Sequence, residues 1–186
     1  MKQLFIGVAL AAAMSSCAVA ASTDPYESGF YLATGNESWV PAYKNDLSSY
    51  APKYLYGGDI QGGWRFNRYY SIEAGYAIAT NSATVRATVQ AVSIDAYGYL
   101  PLGRASHFAL FATAGASELW GTASVTGYGY SVSATSNAFG GRVGGGLQYQ
   151  INRHFGFRIS SRYEFANFAG VKGAGVGAVS FVWHPG

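Results

Sequence analysis

Bulky apolar residues alternate with small or polar ones along several stretches of this chain, with the two-residue period of a β-strand. In the stretch 70–79, for example, Tyr70 and Ile72 begin an apolar face, and Ser71 and Glu73 begin the opposite one. Stretches of this kind, bounded by turn residues, predict eight strands. The predicted strands are 29–38, 54–66, 70–79, 89–100, 107–120, 138–151, 155–168 and 174–183.

The connections between the predicted strands alternate in length. Short turns are expected at 67–69, 101–106 and 152–154, whereas the connections on the other side are mostly longer. An even number of strands joined in this way is typical of bacterial outer-membrane barrels, whose short turns face the periplasm. The longer connections, which should face the exterior, are 39–53, 80–88, 121–137 and 169–173.

The composition excludes two other classes of protein. Charged residues make up 11% of the chain, against about 25% in soluble domains, and aromatic residues make up 16%. No apolar run reaches the roughly 18 residues of a membrane-spanning helix. The net charge of +3 is too small and too scattered for a nucleic-acid-binding surface. We therefore predict an all-β protein, an eight-stranded antiparallel transmembrane up-and-down β-barrel.

The first residues have the three parts of a secretory signal. A positive start, Met1–Gln3, precedes the apolar segment Leu4–Met14, and Ala18-Val19-Ala20 forms an A-x-A cleavage site. We expect residues 1–20 to be a cleaved signal peptide and residues 21–186 to be the barrel domain, inserted in the outer membrane of a Gram-negative bacterium. In the alternative, Cys17, the only cysteine, is lipidated and retained.

The charges within the predicted strands fall almost entirely on one face. A charge facing lipid at mid-depth costs about 2–4 kcal/mol in such barrels, so this face should be the lumen. Ion pairs would fill the narrow interior of an eight-stranded barrel, and the alternative is an ion-conducting path. The predicted lumen residues are Asp59, Glu73, Asp95 and Glu164 with Arg65, Arg142, Arg158 and Arg162.

Aromatic residues gather near the strand ends, where they should form a girdle at each membrane interface. We expect Trp120 and Trp39 at the outer interface. The periplasmic girdle is predicted to contain Trp64, Phe66, Tyr70, Phe155, Phe181 and Trp183.

The run Gly62–Tyr76 resembles the second and third strands of the OmpA-like transmembrane barrels, and Gly145–Ile151 followed by Arg158 looks like their sixth and seventh strands. The resemblance covers nearly all of the expected mature chain. It implies a salt bridge between Glu73 and Arg158 that blocks the lumen. The family's exchange partners are missing, because their positions hold Tyr97 and Gln148, and Asp95 and Arg142 are the nearby candidates to replace them.

Three classes of function fit a small outer-membrane barrel. A lipid A-modifying enzyme needs a histidine close to the outer leaflet, whereas His107, His154 and His184 all fall at the predicted periplasmic end. We therefore expect no enzyme, no cofactor and no metal site. A structural and surface-interaction role with a largely closed lumen is favoured over a narrow, low-conductance pore.

The expected partners follow from this location. They are outer-membrane lipid and lipopolysaccharide, the barrel-assembly machinery, and a host or surface ligand bound through the external loops. The segment 121–136 is the strongest candidate for ligand contact, because its Tyr, Ser and Gly residues offer adaptable contacts with rigid aromatic anchors.

Overall fold

The computed structural model describes residues 28–43, 52–81, 85–102, 107–127, 130–166 and 171–185. The predicted signal peptide and Cys17 lie outside these residues. Within them, no helix is long and apolar enough to cross a membrane. The strands are β1 (Gly29–Tyr43), β2 (Leu55–Arg65), β3 (Tyr70–Thr80), β4 (Val85–Pro101), β5 (Phe108–Gly127), β6 (Tyr130–Gln150), β7 (Phe155–Phe165) and β8 (Val171–Trp183).

The eight strands form one closed barrel in chain order, with every neighbouring pair antiparallel. Closure occurs between β1 and β8, from Leu32 opposite Trp183 to Tyr43 opposite Val171. A closed sheet satisfies the strand hydrogen bonds without the help of water, which a bilayer core does not provide. The predicted eight-stranded antiparallel barrel is confirmed.

The facing of the strands also follows the alternation. On β3, Ile72 is 43% exposed on the outer surface, whereas Ser71 and Glu73 are buried inside. On β5, where two assignments compete in the sequence, Leu110 faces outward and Phe111 faces the lumen. The outer surface carries a band of aliphatic and aromatic side chains, as expected of a surface in contact with lipid.

The prediction that 121–137 is a loop is wrong. In the structure β5 and β6 continue as a paired hairpin, with Thr122 opposite Thr135 and Ser124 opposite Ser133. These residues lack the bulky apolar face that marked the other strands, but the backbone ladder does not require one. Two other predicted connections, 80–88 and 39–53, also contain strand residues in the structure. β4 begins at Val85, and β1 runs to Tyr43.

Candidate functional site in the lumen and at the outer rim

Aromatic and arginine side chains pack together at the periplasmic end of the lumen. The Arg65 guanidinium lies over the Tyr99 ring, 4.6 Å from its centroid, and the Arg158 guanidinium lies over Tyr97 at 4.8 Å. Both tyrosine rings also contact Phe111. All five side chains are buried, so this layer fills the narrow end of the barrel.

Glu73 and Arg158 form an ion pair directly above this layer. The Arg158 Nη1 atom is 2.7 Å from Glu73 Oε1 and 2.9 Å from Oε2. The Tyr31 hydroxyl donates to the same carboxylate at 2.5 Å, and Arg158 Nη2 donates to Gln148 at 3.3 Å. Glu73 and Arg158 are each 2% exposed, so removal of either charge would leave the other buried and unpaired.

A second, longer chain of charges crosses the lumen nearer the outer end. Arg162 contacts both Glu37 and Glu164, and Arg142 contacts both Glu164, at 3.3 Å, and Asp95, at 2.9 Å. Ser117 donates to the second oxygen of Glu164 at 2.8 Å. The alternation of carboxylate and guanidinium leaves each arginine in contact with two acidic groups.

Sequence reasoning missed Glu37. It lies on β1 with the inward parity of Tyr31 and Ala33, and that parity was the signal that could have found it. Among the described residues the lumen therefore holds five carboxylates, with Glu37 and Asp59 included, against four arginines. Asp59 accepts a hydrogen bond from Gln61 at 2.5 Å, and its Oδ1 atom has no hydrogen-bond partner among the described residues.

Glycines on neighbouring strands make room for these charged groups. A Cβ atom added to Gly63 would lie 2.4 Å from the Tyr31 ring and 2.8 Å from Glu73. One added to Gly115 would lie 2.3 Å from Asp95 Oδ1 and 2.2 Å from the Ile94 carbonyl oxygen. At these two positions the absence of a side chain therefore lets the charged groups pack closely.

An apolar cluster lies inside the barrel above the charges. It includes Trp39, Leu55, Val89, Leu119 and Val176, all buried. The prediction that Trp39 belongs to the outer girdle is wrong, because it is 2% exposed inside the barrel and donates from Nε1 to Glu37 at 2.8 Å. The continuation of β1 past residue 38 keeps Trp39 on the inward parity.

The other aromatic residues predicted for the membrane interfaces lie on the outer surface. Trp120 is half-buried towards the outer end of β5. Near the periplasmic turns Phe155 packs on Phe181, with 5.5 Å between ring centroids. Trp64 is half-buried there, and the exposed members of this set are Phe66, Tyr70, Phe155, Phe181 and Trp183.

The three histidines lie at the end of the barrel that carries the short turns, opposite the outer rim. His107 contacts the Gln150 carbonyl, and the His154 ring contacts the His184 carbonyl at 3.0 Å. Burial, with Arg65 and Arg158 nearby, lowers the pKa of His184 to about 3. No group of three or more potential metal ligands occurs within the part of the chain that the structure describes.

The outer hairpin, residues 121–127 of β5 and 130–140 of β6, extends beyond the closed part of the barrel. β6 pairs with β7 only from Gly141 onward, whereas it pairs with β5 as far as Tyr130. Among the described residues nothing pairs with the other side of β6 over 130–139, a stretch roughly 33 Å long at about 3.3 Å per residue. No Lys, Arg, Asp, Glu or Pro occurs in this hairpin, although such residues commonly protect exposed edges.

A family model described as outer membrane protein beta-barrel domain matches residues 9–183. The chain belongs to this family. Its members are barrels of the bacterial outer membrane, and the protein is accordingly placed in the outer membrane of a Gram-negative bacterium. No curated protein matches the chain.

Solved structures of similar fold are small outer-membrane barrels. Neisserial surface protein A matches with a TM-score of 0.67 and 15% identity, over 83% of this chain and 96% of that one. Ail, the attachment invasion locus protein of Yersinia pestis, in complex with the heparin analogue sucrose octasulfate, matches with 0.59 and 16%, over 84% and 98%. OprG from Pseudomonas aeruginosa matches with 0.55 and 11%, over 83% and 95%. At these identities the likeness concerns the fold alone.

Proposed function

We propose that this protein is a non-enzymatic surface-interaction barrel that binds partner proteins through the outer edge of β6. The observation that carries the proposal is the outer side of β6 over residues 130–139, with which no described strand pairs. An exposed strand edge offers a row of N–H and C=O groups, onto which an extended segment of another protein can add as a further strand. Adhesion to a host or another surface is the activity that such binding would give.

Among the described residues, none pairs with this edge between Tyr130 and Phe139. Its small and hydroxyl side chains, among them Ser133 and Ala134, permit close approach of an added strand.

The lumen supports the same proposal. The aromatic layer, the two sets of ion pairs and the apolar cluster succeed each other along the barrel axis, so the interior offers side-chain packing in place of a water-filled path. An interaction role outside the barrel needs no such path. The names of the similar structures, a surface protein and an attachment protein, agree with a surface role.

Matched lysine substitutions test the proposed edge. Ser133 on the edge strand and Ser124 on β5 lie directly opposite each other, and β5 is paired on both sides. Lysine on an edge strand discourages strand addition, so Ser133→Lys should lower binding while Ser124→Lys, with the same charge, should not. The assay is adhesion of cells displaying the full chain to immobilised fibronectin, laminin and collagen.

A variant that lacks residues 123–134 serves as the baseline. We expect the wild type to adhere more strongly than this deletion variant. Ser133→Lys should lose this additional adhesion, whereas Ser124→Lys should keep it. Equal adhesion by all four proteins, with equal amounts of folded barrel at the surface, would contradict the proposal.

A further inference from the structure

An apolar recess lies in the outer, lipid-facing surface of the barrel, close to the short turns. Gly98 on β4 and Ala112 on β5, which lie opposite each other, form its floor. A Cβ atom added to Gly98 would meet nothing within 4 Å, so the space above this residue is open. Tyr70, Leu100 and Leu110 are exposed at its margins. The recess therefore offers apolar walls to a molecule in the surrounding lipid.

Large side chains occupy the equivalent place on the opposite side of the barrel. Phe155 is the first residue of β7, as Tyr70 is the first residue of β3. On the next strand Phe155 lies opposite Trp183, and Trp183 lies opposite Leu32 on β1. Tyr70, in contrast, lies opposite Gly98. The recess is therefore a local feature of β3, β4 and β5.

A cation lies beside the end of the recess that is nearest the turns. Arg68 belongs to the turn between β2 and β3, where the Asn67 side chain accepts hydrogen bonds from the backbone N–H groups of Tyr69, at 2.8 Å, and Tyr70, at 3.0 Å. The Arg68 guanidinium is 5.8 Å from the centroid of the Tyr69 ring, and Tyr69 lines the recess. The Nε atom of Arg68 is buried and has no hydrogen-bond partner among the described residues.

The position in the membrane and the charge together indicate the ligand. The short turns of outer-membrane barrels face the periplasm, and the periplasmic leaflet of that membrane consists of glycerophospholipids. Such a lipid carries its phosphate at the membrane surface and its acyl chains towards the bilayer centre. Arg68 and the recess have the same order, and a guanidinium is well suited to donate hydrogen bonds to a phosphate.

We propose that the recess binds one anionic glycerophospholipid of the periplasmic leaflet, with an acyl chain over Gly98 and the phosphate at Arg68. The bound chain replaces the side-chain packing that Trp183 provides on the opposite side. This site is at the other end of the barrel from the β6 edge, so the inference goes beyond the proposed function and does not depend on it.

Native mass spectrometry of the full chain, released from detergent micelles, tests the proposal. As phosphatidylglycerol is added, a monomer carrying one lipid should appear and saturate before further lipids bind. Phosphatidylcholine should bind more weakly, because its choline group offsets the phosphate charge. Glycerol 3-phosphate should not compete, because it has no acyl chain to occupy the recess.

Two matched pairs of variants locate the site. Gly98→Leu fills the recess, and its control is Gly177→Leu on β8, another exposed position where a Cβ atom would meet nothing within 4 Å. Arg68→Gln removes the cation, and its control is Arg153→Gln, in the turn between β6 and β7, where Asn152 accepts the same kind of backbone hydrogen bonds. Gly98→Leu and Arg68→Gln should each weaken phosphatidylglycerol binding roughly tenfold, and the controls should leave it unchanged.

Gel mobility without heating shows which variants are folded. If Gly98→Leu does not fold, the two arginine variants decide the matter. The proposal would be overturned if no single lipid bound in a saturable way, if phosphatidylcholine bound as well as phosphatidylglycerol, or if site and control variants had equal effects. A dimer that Gly98→Leu abolishes would also overturn it, because a second copy of the chain would then occupy the recess.

Discussion

At the scale of single residues, the packing of the lumen depends on charged side chains that are buried but paired. Glu73 and Arg158 show this most clearly, because both are almost fully buried and each has further hydrogen bonds to neighbouring side chains. Loss of one partner leaves an uncompensated charge, a change that destabilises proteins by about 3–5 kcal/mol.

A double-mutant cycle tests this pair. Glu73→Gln and Arg158→Met keep most of the side-chain volume, and each should lower the free energy of unfolding by about 3–5 kcal/mol. The double variant should lose less than the sum of the two, because neither charge remains. Lys53→Gln, at an exposed position before the start of β2, should change stability by no more than about 0.5 kcal/mol. Strictly additive losses would mean that the two residues do not interact.

His184 should make the barrel sensitive to acid. In the unfolded chain this residue takes up a proton near pH 6.5. In the folded protein burial lowers its pKa to about 3. The unfolded form therefore binds more protons between these values, and stability should fall as the pH is lowered through 6.5. Urea unfolding at pH 7.5 and pH 4.5 should show a smaller loss for His184→Phe than for the wild type. Identical losses would contradict this origin of the effect.

At the scale of the strands, the alternation of side chains predicted which face of a strand meets lipid better than it predicted where the strand ends. The charges and bulky residues of β3 and β7 specify which face meets lipid, because a shift of one residue would expose several charges at once. The limits of β5 and β6 could not be obtained in this way. Above Trp120 both faces meet water, so the residues from Gly121 to Ser136 carry no facing signal even though their backbones pair.

The lipid-facing assignment of β4 can be measured. Ile94 is 58% exposed in the middle of the strand, opposite Ala74 and Ala116. Ile94→Arg should lower the free energy of unfolding in lipid vesicles by about 2–4 kcal/mol, since it places a charge near the bilayer centre. Ser133→Arg, on the exposed outer hairpin, is the control and should have little effect. Equal penalties for the two would argue against the assigned membrane position.

At the scale of the whole molecule, the fold was predictable from the sequence but the connectivity of the lumen was not. Among the described residues parity alone brings nine charges inside, yet it does not tell which carboxylate meets which arginine. Contacts such as Arg162 with Glu37 join residues on β7 and β1, far apart in the chain, and depend on strand stagger. The resemblance to OmpA-like barrels indicated the pair of Glu73 and Arg158, while the role of Glu37 and the interior position of Trp39 emerged only from the assembled barrel.

We propose that the barrel is closed inside and acts through its outer surface. Recordings of the purified protein in planar lipid bilayers measure whether the lumen conducts. We expect no resolved conductance steps for the wild type, and small steps for Arg158→Ala, which removes the side chain that joins Glu73, Tyr97 and Gln148. Stable, reproducible steps in the wild type would contradict it, since they would require a continuous water-filled path through the lumen.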